Sequence, residues 1–345
     1  MAGFLPAPRS MIHDGSDQTE TTPSVFSGRP LATRERVVIA ITIALGAGLA
    51  AFLAFRVIPG MFTRDFTYPW RAARALLAHQ DPYRVIVPSG PPPFDMAFMY
   101  PITAGLAALP FALLLPQVAG ALFVALSCGA LAFLLMRRGL GQCWLLLSVP
   151  FGLAIVLAQW SPLLLAGALS VPLSWALVCK PTIGLALFAW RPSWKSAAVC
   201  AAFLAIGFIV NPFWVDEWWQ AARSVPGHGP PITHAFGFLP LIALVRWRSP
   251  AARLVVVMTL VPQNLDFYDQ LPLFFAATSG VEMFALTALS WIAWGGTRLQ
   301  CSDPYFCGTQ AAPWIIALLY LPATFLALRP TRTPRTVDAT LPVRP

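Results

Sequence analysis

Apolar residues run in long blocks separated by short polar breaks, and the lengths of those blocks set the predicted fold. Val37–Ile58, Val118–Met136 and Leu271–Trp294 each approach or reach the roughly 20 residues that carry a helix across a bilayer. Ile102–Leu115 is shorter and interrupted by Pro110, so it is predicted to be a re-entrant or interfacial helix, leaving Pro116–Met136 as the second span. Trp144–Ala158 and Pro162–Trp190 meet at Gln159, Trp160 and Ser161, a predicted external turn, and Lys180–Pro181 interrupts the second run. Ser196–Trp214, Phe236–Val245, Leu254–Pro262, Leu271–Trp294 and Trp314–Leu328 complete an all-α, polytopic transmembrane bundle of about nine or ten spans. No heptad, internal repeat or soluble domain interrupts it. Residues 1–36 and 329–345 read as disordered tails flanking one membrane domain, 37–328, whose first external loop is 59–101.

Composition agrees with the pattern. A chain of 345 residues that is 57% hydrophobic and 11% charged, with 13 Trp and 34 Pro, carries more apolar surface than one soluble core can hide. The net charge of +9 reads as Arg and Lys flanking spans and meeting anionic lipid, and no basic and aromatic ladder points to nucleic acid. Arg29, Arg34 and Arg36 precede the first span and place its start in the cytoplasm, which puts the loop after it on the external face of the cell membrane. Of six cysteines, Cys128, Cys143, Cys179 and Cys200 lie in or beside apolar runs, whereas Cys301 and Cys307 share a polar loop whose spacing permits a disulfide in an oxidising compartment.

The polar residues left inside this frame carry the candidate chemistry. No P-loop, GxGxxG, HExxH, CxxC or GxSxG is present in a convincing context, and no metal or cofactor set emerges. What remains is a set predicted to face outside: Arg64, Asp65, Tyr68, Arg71, Arg74, His79, Asp81, Tyr83, Tyr100, Gln159, Lys180, His234, Asp266, Tyr268 and Asp269. Trp70–Leu77 places Arg71 and Arg74 on one helical side and Trp70, Ala73, Leu76 and Leu77 on another, a pattern that suits the membrane interface. Each residue has a plain alternative. Asp65 reads equally as an N-cap of that helix or a partner of Arg64, Lys180 as a snorkelling residue, Gln159 as interfacial, His79 as a surface residue, and the Asp266–Asp269 turn as solvated.

The run RDFTYPWRAARALLAHQDPY resembles the signature after the first helix of glycosyltransferase family 87, membrane enzymes of the GT-C class. Phe98–Pro101, Gln159 with Leu163–Leu165, and Lys180–Pro181 resemble later elements of that family in the same order, and Pro262–Tyr268 resembles its late turn more loosely. His79 stands where the family commonly has Gly, and Phe267 and Tyr268 where it has Trp and His. The resemblance implies an inverting, metal-independent transferase with no cofactor. Such an enzyme passes a hexose, often mannose, from a polyprenyl-phosphate donor to an acceptor hydroxyl on a lipid or glycan. It implies Asp65 as the base, with Arg64, Tyr68, Arg71, Arg74, Asp81, Tyr83, Tyr100, Gln159, Lys180, Asp266 and Tyr268 around the donor phosphate and substrate. A polytopic lipid or solute carrier, or a non-catalytic membrane subunit, would also place polar residues at helix breaks such as Lys180.

Overall fold

The computed structural model describes residues 31–58, 63–88, 96–224, 229–263, 265–301 and 308–330, and these residues form helices and turns with no strand. Most of the two predicted tails, residues 1–30 and 331–345, lies outside the described residues, as do 59–62 and 89–95 of the first loop. The helical domain starts earlier than the sequence pattern implies. Helix α1 covers Thr33–Val57, because Glu35 accepts from the Ala32 backbone amide at 2.7 Å and so satisfies a donor at the helix start.

Among the described residues, three segments are long and apolar enough to cross a membrane: α1, α5 (Pro116–Met136) and Gln310–Leu328; each of two bent helix pairs adds one more if read as a broken span. That is at most five by length and composition, fewer than the nine or ten expected. The shortfall comes from breaks inside the apolar runs. The expected span Leu271–Trp294 divides into a 3-10 segment, Phe267–Ala276, and a helix, Gly280–Arg298. Ser279 accepts from the Glu282 amide and Glu282 from the Ser279 amide, a capping box that starts a new helix inside the apolar run. Phe236–Val245 is likewise a 3-10 segment, Leu239–Arg246.

At 25 residues α1 is about 37 Å long at 1.5 Å per residue. Leu45, Leu49 and Leu53 are exposed along it, a face suited to lipid. Its other face packs on α5 through small residues. A Cβ on Gly48 would meet Ala125 Cβ at 3.0 Å, and one on Gly129 would meet Ala44 Cβ at 2.9 Å, so the backbones approach as they do in small-residue membrane interfaces. This contact seats the site. The segment leaving α1 returns at Thr63 against Gly120 of α5, where an added Cβ would lie 3.0 Å from Thr63 Cγ2.

Next come α2 (Thr67–Leu77), α3 (Pro82–Val85) and α4 (Ile102–Ala108). Helix α2 begins three residues before the predicted Trp70, and Tyr68, Trp70, Ala72, Ala73 and Ala75 are buried. It packs on α4, where Gly105 admits Ala72, so the amphipathic segment is covered by protein on its small-residue face. Helix α4 and the 3-10 turn Leu109–Phe111 form the expected short element before α5.

Helices α6 (Val149–Val156) and α7 (Ser161–Leu169) are bent by 117° at Leu157–Trp160. The 3-10 segment Val171–Val178 and α8 (Pro181–Trp190) follow, with Gly184 pressed so closely on the Leu177 carbonyl that no Cβ fits. Helix α9 (Trp194–Val210) turns by 95° into α10 (Trp214–Ser224). Helices α11 (Pro250–Leu260) and α12 (Gly280–Arg298) flank the Phe267–Ala276 segment. Gln310–Leu328 closes the bundle as α13 (Gly308–Ile315), a π turn at Ile316–Tyr320 and α14 (Leu321–Leu328). Cys301 is disulfide-bonded, a bond that the loop's spacing permits, while Cys307 lies outside the described residues; Cys128, Cys143, Cys179 and Cys200 are free.

Gly129→Leu should force α1 and α5 apart and lower stability by about 1–3 kcal/mol, the usual cost of overpacking. Gly46→Leu, where an added Cβ meets nothing within 4 Å, should melt close to wild type in the same detergent.

Candidate functional site

Asp65 lies on a single 3-10 turn, Arg64–Phe66, between α1 and α2. It is no helix cap. The N-cap of α2 is Phe66 and makes no side-chain cap bond, which removes the simplest alternative for this residue. Instead, Asp65 Oδ2 accepts from the Tyr100 hydroxyl at 3.1 Å and from Gln159 Nε2 at 2.5 Å. Three segments distant in sequence therefore converge on one carboxylate oxygen. Because a carboxylate only accepts, the Gln159 amide must turn its nitrogen toward Asp65, which leaves Gln159 Oε1 buried and without a hydrogen-bond partner.

The local chain explains how Gln159 reaches this point. Gln159 N donates to Ala154 O at 2.8 Å and Ala158 N to Ile155 O at 3.2 Å, the two bonds that close a helix in a Schellman turn. Ala158 takes φ +48 in that turn, where glycine is usual, and the chain swings away from α6 with Gln159 at the bend. Arg64, next to Asp65, also has positive φ, +39. Such non-glycine positions cost roughly 1–3 kcal/mol each and persist where surrounding contacts fix them.

Tyr100 is held from behind: Tyr83 donates its hydroxyl to the Tyr100 carbonyl at 3.0 Å, and Trp218 Nε1 donates to Met99 O at 2.9 Å. Burial, followed by the Asp65 and Asp269 charges, raises the Tyr100 hydroxyl well above its usual range, so it stays a proton donor to Asp65. Tyr68 is buried on α2 and engaged in contacts.

A second polar group faces the first. Lys180 precedes Pro181 and sits 2.6 Å from Asp269 Oδ1, with its ammonium 5.4 Å from the centre of the Tyr268 ring. Tyr268 donates to Asp266 Oδ2 at 3.0 Å, and Ser161 Oγ donates to the Tyr268 carbonyl at 2.7 Å, tying this group to the start of α7 two residues beyond Gln159. Burial is the main force raising Asp266 to about 7, with Asp269 and Asp65 adding to it and Tyr268 and Lys180 opposing it. Burial also raises Tyr268, with the Asp266, Asp65 and Asp269 charges contributing after it. The charges of the two groups thus act on one another, and Ser161 joins them.

The expected residues divide accordingly. Asp65, Tyr100, Gln159, Lys180, Asp266 and Tyr268 are brought together, with Tyr83 in support. Arg64 and Arg71 are half-buried and engaged, whereas Arg74 is exposed and stacks 5.0 Å from the Trp70 ring. Asp81 accepts from Tyr83 N at 3.0 Å, capping α3, and pairs with Arg84 at 3.2 Å. His79 is exposed with φ +55 at the end of α2, where Gln80 N donates to Ala75 O at 2.8 Å. It occupies the left-handed position that glycine fills without strain. His234 is off the cluster, near the turn Pro231–Thr233. Ser161 and the pairing role of Asp269 escaped sequence reading. Asp269 is 89 residues from Lys180, and no spacing rule reaches that far. Among the described residues no cluster of His, Cys, Asp or Glu has the geometry to hold a metal ion.

Because Asp266 is raised from the ordinary 3.8 to about 7, the folded chain holds a proton there that the unfolded chain releases. Its contribution is therefore most favourable below about pH 4 and is lost as pH rises to about 7. Asp266→Asn should flatten the fall in melting temperature across that window, measured by thermal unfolding at stepped pH. Comparison of the chain with family models, curated proteins and solved structures finds no match, so the reading of this site rests on its own residues and geometry.

Proposed function

We propose that the chain is a membrane glycosyltransferase that moves a hexose from a polyprenyl-phosphate carrier to an acceptor hydroxyl at the external face of the membrane. The observation that carries this reading is the Asp65 carboxylate held by Tyr100 and Gln159, joined through Ser161 to the group that holds the Lys180 ammonium. A hydroxyl attacks the anomeric carbon efficiently only if a base takes its proton, and a carboxylate fixed by two donors is oriented for that work. In the step, the acceptor oxygen bonds to the anomeric carbon, its proton passes to Asp65, and the bond from that carbon to the phosphate oxygen breaks. One displacement inverts the configuration.

The departing phosphate keeps its charge and needs cations. Lys180 would supply one, and Arg64 and Arg71 lie on the segment that carries Asp65. Tyr268 and Asp269 hold the Lys180 ammonium. Exposed apolar faces on α1 and α9 suit a lipid-linked donor arriving from the bilayer. The order of sequence elements that resembles family 87 falls on the residues that meet here. The left-handed backbone at His79, where that family has glycine, agrees with it.

One observation favours a second reading. The 117° break between α6 and α7 and the partly buried Lys180–Asp269 pair are also what a carrier uses at its substrate site. Incubating the purified protein with labelled polyprenyl-phosphate hexose and acceptor separates the two. Transfer should occur with wild type and fall at least 100-fold with Asp65→Asn, a fold within the range general-base removal costs, roughly 10²–10⁴. An undiminished rate in the Asn variant would remove Asp65 as base, and vesicle-to-vesicle movement of intact donor without transfer would favour the carrier. Lys180→Gln should raise KM for the donor more than for the acceptor, because it removes charge at the phosphate.

A further inference from the structure

Apart from the Asp65 cluster, a cavity of ≈ 420 Å³ lies between the α2–α3 turn and the α9–α10 corner. That size is within the roughly 300–1,000 Å³ of small-molecule sites. One wall carries Gln80, Asp81 and Arg84; the other carries Asn211, Phe213 and Glu217. Both walls are pinned. Asp81 caps α3, Asn211 Nδ2 donates to Glu217 Oε2 at 2.7 Å, and Arg84 reaches Asp81 at 3.2 Å and Glu217 at 3.9 Å.

The walls are also tied to the strip of chain that supplies Tyr100. Tyr83 of α3 donates to the Tyr100 carbonyl and Trp218 of α10 to the Met99 carbonyl. Tyr100 in turn donates to Asp65. The cavity and the proposed base therefore share one structural support.

We propose that this cavity binds a neutral, hydroxyl-rich ligand, the sugar headgroup of the acceptor. The proposal rests on the transferase reading and names its acceptor class. The lining chooses among ligands. A phosphate or uronate would need an excess of cationic donors, yet two carboxylates stand against one guanidinium and the His79 imidazole here. An ammonium group would need acceptors alone, yet Arg84, Asn211 and Gln80 also offer N–H groups. A polyol needs both at once, because each hydroxyl donates and accepts. Leu76, Val210 and Phe213 add apolar surface for the C–H faces of a sugar ring. Asp81 thereby belongs with the acceptor, not with the donor phosphate.

Saturation-transfer NMR on the full chain in nanodiscs tests this, with methyl α-mannoside as the neutral probe and mannose 6-phosphate as its anionic counterpart. Wild type should transfer saturation to the neutral glycoside and at least five-fold less to the phosphate. Glu217→Gln keeps the shape and removes the charge, and should weaken the glycoside signal at least three-fold with an unchanged melting temperature. Val210→Trp fills the cavity from a half-exposed position without touching the carboxylates and should abolish it. Glycoside signals equal in wild type and both variants, or equal signals from both probes, overturn the proposal. The two readings fail separately. Glycoside binding that depends on Val210 and Glu217 in a protein with no transfer activity keeps the site and removes the enzyme. Transfer with an acceptor KM unmoved by both variants keeps the enzyme and removes the site.

Discussion

One carboxylate oxygen, Asp65 Oδ2, joins segments that begin nearly one hundred residues apart in the chain: the turn after α1, the approach to α4, and the bend between α6 and α7. Little else in the region makes sense without that junction. The close approach of α1 and α5 seats the turn that carries Asp65. The strained Ala158 presents Gln159. The hydroxyl of Tyr83 and the indole of Trp218 fix the backbone that carries Tyr100. A charge set among apolar helices must be paired and hydrogen-bonded, and each of these devices serves that need.

The second group answers the same constraint differently. Asp266, Asp269 and Asp65 bring three carboxyl groups into each other's fields with the single ammonium of Lys180 beside them. Burial, more than the charges of Asp269 and Asp65, favours a proton on Asp266, and a short contact pairs Lys180 with Asp269. Breaking such a pair on one side leaves a buried charge uncompensated, which is far more costly than removing both partners. An incoming phosphate would instead give Lys180 a second anion, and the charge balance of the site would change with ligand.

Much of this was legible in the sequence, residue by residue. Asp65, Tyr100, Gln159 and Lys180 each stand out as polar residues at the edge of an apolar run, and the structure brings them together. Their pairing was not legible. Nothing local links Lys180 to Asp269, and the competing role of Asp65 as a cap is chemically reasonable until the α2 terminus is seen. The expected span count is not matched by helix length among the described residues for a related reason. Apolar length does not distinguish one helix from two, although the Ser279 and Glu282 spacing already carried a capping signal inside Leu271–Trp294. His79 illustrates the reverse case, a side chain with no visible signal in the sequence that the backbone holds in the left-handed region at the end of α2.

In the proposed transfer one base acts in one displacement. The most direct measurement is the anomeric configuration of the product, read by NMR against that of the polyprenyl-phosphate donor. A single carboxylate at Asp65 predicts complete inversion with wild type; a product that retains the donor's configuration would require a second nucleophile and would contradict it.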